Sequence, residues 1–418
     1  MNFLRKFIML FFAINFVLYG QTRQSVVSLD SLQMKIQTLE ARIDSLQQKQ
    51  WEQELLQLRQ EAQQGSPSTS ETMVKRKTFY QGARSLQKLN PEISLTADGF
   101  SLYHPDGASM DLPSGFHLRE IGFHFQSSLD PFSISKIIFT LSPEEGIDLE
   151  EAYVTWTNPL PRTSITFGKF RQQVGVLNRW HVHALDQTFY PLIIQSLFGE
   201  EGLAQTGISL HVLLPRLTAQ VNELTFQITM NENEALWGTG TGLPNALLHY
   251  KNYFDITEDT YFELGVTGLI GTNDDRGFNL NTPRGTTRIA GVDLTLSWTP
   301  AQFQLYKQLD WRSEFYWMDK QELNQDPQKA WGGFSYVQYR TSRRLYAGVR
   351  IDYQAPITTP QPLAEIWQVT PYLTWWQSEF VYLRFQYTLQ HEVSLQQNNS
   401  QFLLQIDWSF GPHKHEKY

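Results

Sequence analysis

Two His-x-His pairs offer the plainest coordination chemistry in the chain: His181 with His183, and His413 with His415. On an extended segment residues i and i+2 share a face, so each pair could present two imidazoles to one metal ion. Glu200 or Asp186 could complete the first set. The motif is weak, and hydrogen bonding inside a folded loop explains it with fewer requirements, so neither a metal nor any other cofactor is assigned. Ser209 and His211 also share a strand face, as a nucleophile and its base would. No acid can be assigned to orient that histidine. The sequence carries no glycine-rich loop to cradle a phosphate and no convincing carboxylate pair for glycoside hydrolysis. An enzyme is therefore not expected.

The remaining charged residues make sense only through the elements that hold them. From Pro91 onward apolar and polar residues alternate with a period of two. Val292, Leu294, Leu296 and Trp298 oppose Gly291, Asp293, Thr295 and Ser297. Val381, Leu383, Phe385, Tyr387 and Leu389 oppose Arg384, Gln386, Thr388 and Gln390, and Phe402, Leu404, Ile406, Trp408 and Phe410 repeat the pattern. Such alternation means strands with one wet face and one apolar face. About sixteen such segments can be read, the first near 92–98 and the eleventh near 301–318. Several exceed the roughly five or six residues usual in soluble sheets and match the 9–11 of tilted membrane strands.

Their connections alternate in length. Short turns include Asn158-Pro159-Leu160-Pro161, Pro215-Arg216 and Thr299-Pro300-Ala301, whereas 99–116, 172–205, 231–245 and 272–285 are long. Short turns at one end and long loops at the other describe a closed, antiparallel transmembrane β-barrel, which also leaves no sheet edge for lipid to strand. Trp156, Trp298, Trp311, Trp317, Trp375 and Trp408 fall near segment ends or on outward positions, as interfacial belts require. Composition agrees. The 418 residues are 14% aromatic but only 18% charged, yet mean hydropathy is −0.37. A formal charge of −8 argues against a nucleic-acid binder, and the absence of cysteine removes disulfide scaffolds and thiolate metal sites.

If the apolar set faces lipid, the opposite set faces the lumen. It holds Glu120, Glu151, Glu223, Glu263, Asp293, Asp310, Glu314, Asp352 and Asp407 against Arg312, Arg350 and Arg384. The expectation is a water-bearing rather than packed interior, with a mild preference for cations. The longest connection, 172–205, is too hydrophobic for a solvated loop, with Leu192, Ile193, Ile194, Leu197 and Phe198 close together. It is expected to fold inward and narrow the pore. Arg171, Arg179, His181, His183, Glu200 and Glu201 would then line a constriction or ligand site together with Asp310, Arg312 and Glu314 of the wall.

The N-terminus supplies an address. Arg5 and Lys6 precede the apolar run Phe7 to Leu18, and Gly20 follows, so residues 1–20 read as a signal peptide. Leu29, Leu32, Ile36, Leu39, Ile43 and Leu46 step by three and four, a heptad seam that makes 21–64 a periplasmic coiled coil and implies self-association. Gly65-Ser66-Pro67-Ser68-Thr69-Ser70 opens a flexible linker, 65–90, leaving 91–418 for the barrel.

Phe167-Gly168-Lys169-Phe170-Arg171 running into Val174-Gly175-Val176-Leu177, together with the signal, heptads and linker, resembles the phosphate-selective porins of bacterial outer membranes. That resemblance implies a short coiled coil before a sixteen-stranded trimeric barrel, inserted in outer-membrane lipid by the barrel-assembly machinery. It also implies a phosphate route lined by lysine and arginine; the lumen read above is acidic, so phosphate selectivity is not expected here. The barrel-assembly signal of such proteins is a terminal aromatic, and here the alternation ends at Phe410 while a polar tail runs on to Tyr418. The function expected is passive diffusion of small hydrophilic solutes or ions. The competing readings are a structural or adhesive barrel tethered to the periplasm through the coiled coil, and uptake of a specific ligand such as a metal.

Overall fold

A computed structural model describes residues 91–105, 112–143, 146–238, 243–273, 285–323, 326–356, 365–394 and 396–411. The signal peptide, heptad seam and linker lie outside the described residues, as do His413, His415 and Tyr418.

The alternating segments form sixteen strands: β1 Glu92–Tyr103, β2 Gly115–Asp130, β3 Ser133–Ser142, β4 Gly146–Thr157, β5 Thr163–Arg171, β6 Ala204–Leu214, β7 Val221–Thr229, β8 Asn245–Thr257, β9 Thr260–Thr272, β10 Thr286–Trp298, β11 Gln308–Gln321, β12 Gln328–Ser342, β13 Leu345–Gln354, β14 Ile366–Trp376, β15 Val381–Glu392 and β16 Gln397–Phe410. Each pairs with its neighbours in sequence, and β16 returns antiparallel to β1, from Leu95↔Phe410 to Tyr103↔Phe402. The barrel is closed, so every strand has a partner on both sides. Among the described residues two short α-helices lie between strands, α1 at Leu192–Phe198 and α2 at Glu234–Trp237.

The period of two sorts the side chains as expected. Val292, Phe315, Trp317, Trp331, Ile351 and Ile406 are exposed on the outer face, while Asp293, Glu314, Tyr316, Ala330, Asp352 and Asp407 beside them are buried on the inner one. An apolar outer surface on a closed sheet is stable only against hydrocarbon, where the backbone must satisfy itself. Tight turns sit at one end. At the β2–β3 turn the Phe132 N–H donates to Asp130 Oδ1 at 2.7 Å, a side chain standing in for a backbone acceptor.

Three departures from strict alternation matter. β1 runs on past 98 to Tyr103, because beyond a bulge at Asp98/Gly99 its inward residues turn apolar, and Phe100 and Leu102 pack on Leu403. The turn expected at Thr299-Pro300-Ala301 takes in all of 299–307, closed by Phe303 N–H to Pro300 O and Tyr306 N–H to Phe303 O, so β11 starts at Gln308. Phe303 and Leu305 alternate like strand residues but stand exposed in this turn. Finally, bulges opposite Asp98 and Ile138 leave Arg119 and Glu150 as extra residues, and each joins its neighbour, Glu120 or Glu151, inside the barrel.

Candidate functional site: the lumen and its inward connection

The connection between β5 and β6 leaves the wall at Gln172 and returns at Leu203. Asn178 ties these ends together: its Nδ2 donates to Gln172 O and Leu203 O at 2.8 and 3.1 Å, and its Oδ1 accepts from Leu203 N–H at 2.7 Å. Gly175 has φ +60°, and a Cβ there would overlap Glu314 and Tyr316 of β11, so only glycine lets the chain pass this close. The next two backbone N–H groups, of Val176 and Leu177, both donate to Glu314 Oε1 at 2.9 Å. Glu314 thus holds the descending chain by charge-assisted bonds to backbone.

Beyond this point the connection crosses the lumen. It reaches β13, β14, β15 and β16 through Leu192 N–H to Asp352 Oδ1 (3.2 Å), Gln187 Nε2 to Tyr372 Oη (2.9 Å), Thr188 N–H to Gln386 Oε1 (3.2 Å) and Thr188 Oγ1 to Gln405 Oε1 (3.0 Å). The expected inward fold is observed, and it does more than narrow one wall. The expected water-bearing interior is corrected in the same place. Val174, Leu177, Trp180, Ile193, Ile194, Leu197, Phe198 and the α2 residues Leu236 and Trp237 form one buried apolar cluster with Leu247, Leu269, Ile289, Met318, Ala330 and Phe334 of β8–β12. Alternation hid this, because an inward leucine at one strand end reads as an error rather than a floor for α1.

The opposite side of the connection is polar. Arg171 Nη2 donates to Glu150 Oε2 at 2.8 Å. His181 Nδ1 meets Glu150 Oε2 at 2.7 Å and its Nε2 meets Glu151 Oε2 at 3.1 Å. An imidazole with a carboxylate at each nitrogen must be an imidazolium donating both ways. Burial pushes the His181 pKa down and Arg171 opposes its charge, but Glu150 and Glu151 outweigh both, and the net shift is upward from 6.5. The His181 ring stacks on His183 at 5.6 Å, and His124 of β2 meets both edge-on at 5.9 and 5.3 Å. His183 Nδ1 lies 3.7 Å from Glu120. Tyr190, whose pKa burial raises to about 12, stays protonated and donates to Trp180 O.

Of the residues expected to line the site, Arg171, His181, His183, Arg312 and Glu314 are brought onto the loop–wall interface. Asp310 stands beside Arg312, with Nη2 to Oδ1 at 4.0 Å. Arg179 donates to Gln173 Oε1 at 2.7 Å on the side of β7–β9. Glu200 and Glu201 do not join them: both are exposed in the turn after α1, where the Glu201 carbonyl accepts from Arg171 Nη1. The metal set read from spacing is also not assembled. Both His181 nitrogens are taken by carboxylates, while Asp186 faces Arg312, Tyr336 and Gln338. Among the described residues no group of three or more candidate ligands is placed to hold a metal ion. Ser209 accepts from Gln227, and His211 lies 3.6 Å from Glu223, so both members of the Ser–His spacing on β6 have partners along the wall.

Sequence reading missed several inward bases and the acids Asp98 and Glu150. Arg119 pairs with Asp98, Lys136 lies 4.0 Å from Glu151, and Lys251 Nζ sits 2.6 Å from Glu263 Oε2. Arg119 and Glu150 escaped because strict parity sends one of each doublet, Arg119-Glu120 and Glu150-Glu151, into lipid. A charged doublet in an otherwise apolar strand was the available signal for a bulge.

The architecture, a closed sixteen-strand barrel with a long connection folded inside, resembles solved outer-membrane barrels. An anion-selective porin from Comamonas acidovorans superposes with TM-score 0.53 at 9% identity, covering 77% of this chain and 99% of that one. The outer membrane channel DcaP of Acinetobacter baumannii gives 0.51 at 9%, covering 77% and 97%. The trimer form of OmpT, an outer membrane protein of Vibrio cholerae, gives 0.50 at 10%, covering 77% and 99%. At such identities the likeness is one of fold. In sequence, an uncharacterized protein of Aquifex aeolicus (strain VF5) is 26% identical over 278 residues, which are 60% of this chain and 58% of that protein. The chain therefore spans little more than half the length of that relative. No family profile matches the sequence.

Proposed function

We propose that this protein is a porin-like channel of the bacterial outer membrane, passing small hydrophilic solutes or ions by diffusion through a lumen gated by residues 172–203. The observation that carries this reading is a closed barrel with an apolar exterior and a charged, hydrogen-bonded interior crossed by one inward connection. No catalytic constellation is needed. Of the solved barrels of the same fold, one is described as a porin, one as a channel and one as a trimeric outer membrane protein, which supports the same reading. The heptad seam would serve as the periplasmic element of a homo-oligomer, three copies by that analogy, inserted into outer-membrane lipid by the assembly machinery.

Mild cation preference remains the proposal for selectivity. Most lumen bases are neutralised nearby, as Arg350 is by Asp352 at 2.8 Å. The inward acids named above still outnumber the inward bases once Arg119, Lys136 and Lys251 are counted. In planar bilayers the wild-type protein should show small, cation-leaning steps, and deletion of residues 176–198 should enlarge them. Unchanged conductance in a folded deletion barrel would overturn the gating role. Silence from both would favour the tether reading, to which the depth of loop packing lends support. Marked anion selectivity in a reversal-potential measurement would overturn the charge assignment.

A further inference from the structure

Beneath the inward connection, beside the tight-turn end of the barrel, lies a cavity of about 260 Å³ that none of the interactions above occupies. Its roof is the backbone and side chains of 183–186, and its wall runs from β11 to β15. It lies just under the roughly 300–1,000 Å³ of ordinary ligand pockets, which suits a molecule the size of one sugar ring.

Its charges cancel. Arg312 and Arg384 face it, and so do Asp186 and Asp310. Arg312 Nη1 donates to Asp186 Oδ2 at 3.3 Å and its Nη2 lies 4.0 Å from Asp310. Asp310 accepts from Ser297 at 2.6 Å and Gln308 at 2.9 Å. Arg384 donates to Thr374, Gln405 and the Leu185 carbonyl at 2.8–3.1 Å. An anion would meet two carboxylates and a cation two guanidiniums, so neither finds an unopposed field. What the paired groups present instead is planar donors and acceptors held at fixed positions, joined by Gln308 and Gln338, which each supply both kinds.

The apolar part is aromatic. The Trp376 and Tyr382 rings meet at 4.9 Å and 50°, forming a corner. Arg384 lies 4.8 Å over Tyr382 and keeps that ring in place. Tyr346 lines the same cavity. Flat apolar faces beside balanced donors and acceptors match a ligand with C–H faces and a rim of hydroxyls.

We propose that this cavity binds a neutral polyhydroxylated ligand of hexose size. It rests on the channel reading only for the ligand's route along the lumen, because binding itself requires no conduction. The test is equilibrium dialysis of the purified full-length protein in detergent with D-glucose, repeated with glycine and with sodium acetate. Glucose should bind with a millimolar dissociation constant that does not change with potassium chloride, and neither charged probe should displace it. Trp376→Ala should weaken glucose binding about tenfold and Gln308→Ala about threefold, each with the heat-modifiable mobility of the folded barrel retained. Gln308 opens a strand, so its loss tests the site even if Trp376→Ala fails to fold. Absence of glucose binding to folded wild type overturns the proposal. So does displacement by acetate or glycine, or unaltered affinity in the folded variants. Conductance with no glucose binding would leave a channel without this site, and glucose binding with no conductance would leave the site without a channel.

Discussion

The inward connection is held in two different ways on its two sides. Towards β8–β12 it is held mainly by shape: α1 and Trp180 join an apolar cluster with inward residues of those strands, with Glu314 and Arg312 of β11 as the charged exceptions. Towards β1–β5 it is held by charge, with His181 between Glu150 and Glu151 and Arg171 on Glu150. Packing of the first kind is indifferent to pH and salt, since it trades apolar surface for contact. Bonding of the second kind depends on protonation and leaves a costly unpaired charge when one partner goes. The contrast teaches that one end of a plug can be permanent while the other is conditional. The glucose-sized cavity lies away from both, roofed by 183–186 and walled by β11–β15.

The comparison can be broken hardest from the apolar side. Ile193→Asp places a charge in the buried cluster and should cost about 5 kcal/mol. Hydrogen exchange should then show the amides of 192–198 opening first, and single-channel steps should approach those of the deletion. His181→Ala should cost about 3 kcal/mol by removing the cation shared by the Glu150 and Glu151 carboxylates, which keep Arg171 and Lys136. Its exchange signature should fall on 178–188 and spare 192–198. If both variants open the same amides equally, the two sides form one unit and the contrast fails.

A smaller effect follows from pH. His181 has its pKa raised in the folded protein, so its contribution is fully present below the ordinary histidine value of 6.5 and is lost as pH rises through the raised value. Alkaline pH should loosen 178–188 and increase open-channel noise, and His181→Ala should abolish that dependence. The smallest effect is that of salt. Raising ionic strength should leave 192–198 unchanged and loosen the polar side only slightly, because buried pairs are weakly screened.

Much of the fold was legible because lipid imposes a simple rule on strands. Val292 and Phe315 outside with Asp293 and Glu314 inside follow from a period of two, and the inward path of 172–205 follows from its apolar content. The site was less legible because it depends on breaks in that rule. Arg119 and Glu150 enter the lumen through bulges that a parity count assigns to lipid, and Ala330 and Leu247 lie inward as partners for α1 rather than for water. Glu200 and Glu201 looked like site acids because they follow the loop's apolar run, yet the chain has already turned out of the lumen by then. Spacing along a strand reports which face a residue takes; it does not report what crosses the lumen to meet it.

The clasp formed by Asn178 bears on the order in which the molecule is made. Its bonds to Gln172 and Leu203 need only two adjacent strands, so the connection can close at its neck as soon as β5 and β6 pair. Its far contacts need the rest of the chain: Thr188 and Gln405 are 217 positions apart. Contacts of such separation form late, after the loop-closure entropy has been met by other pairings. The Thr188 end of the connection must therefore wait for β16, and its seating is expected among the last steps of maturation. Protection of Thr188 during assembly would then time the moment at which the cylinder seals.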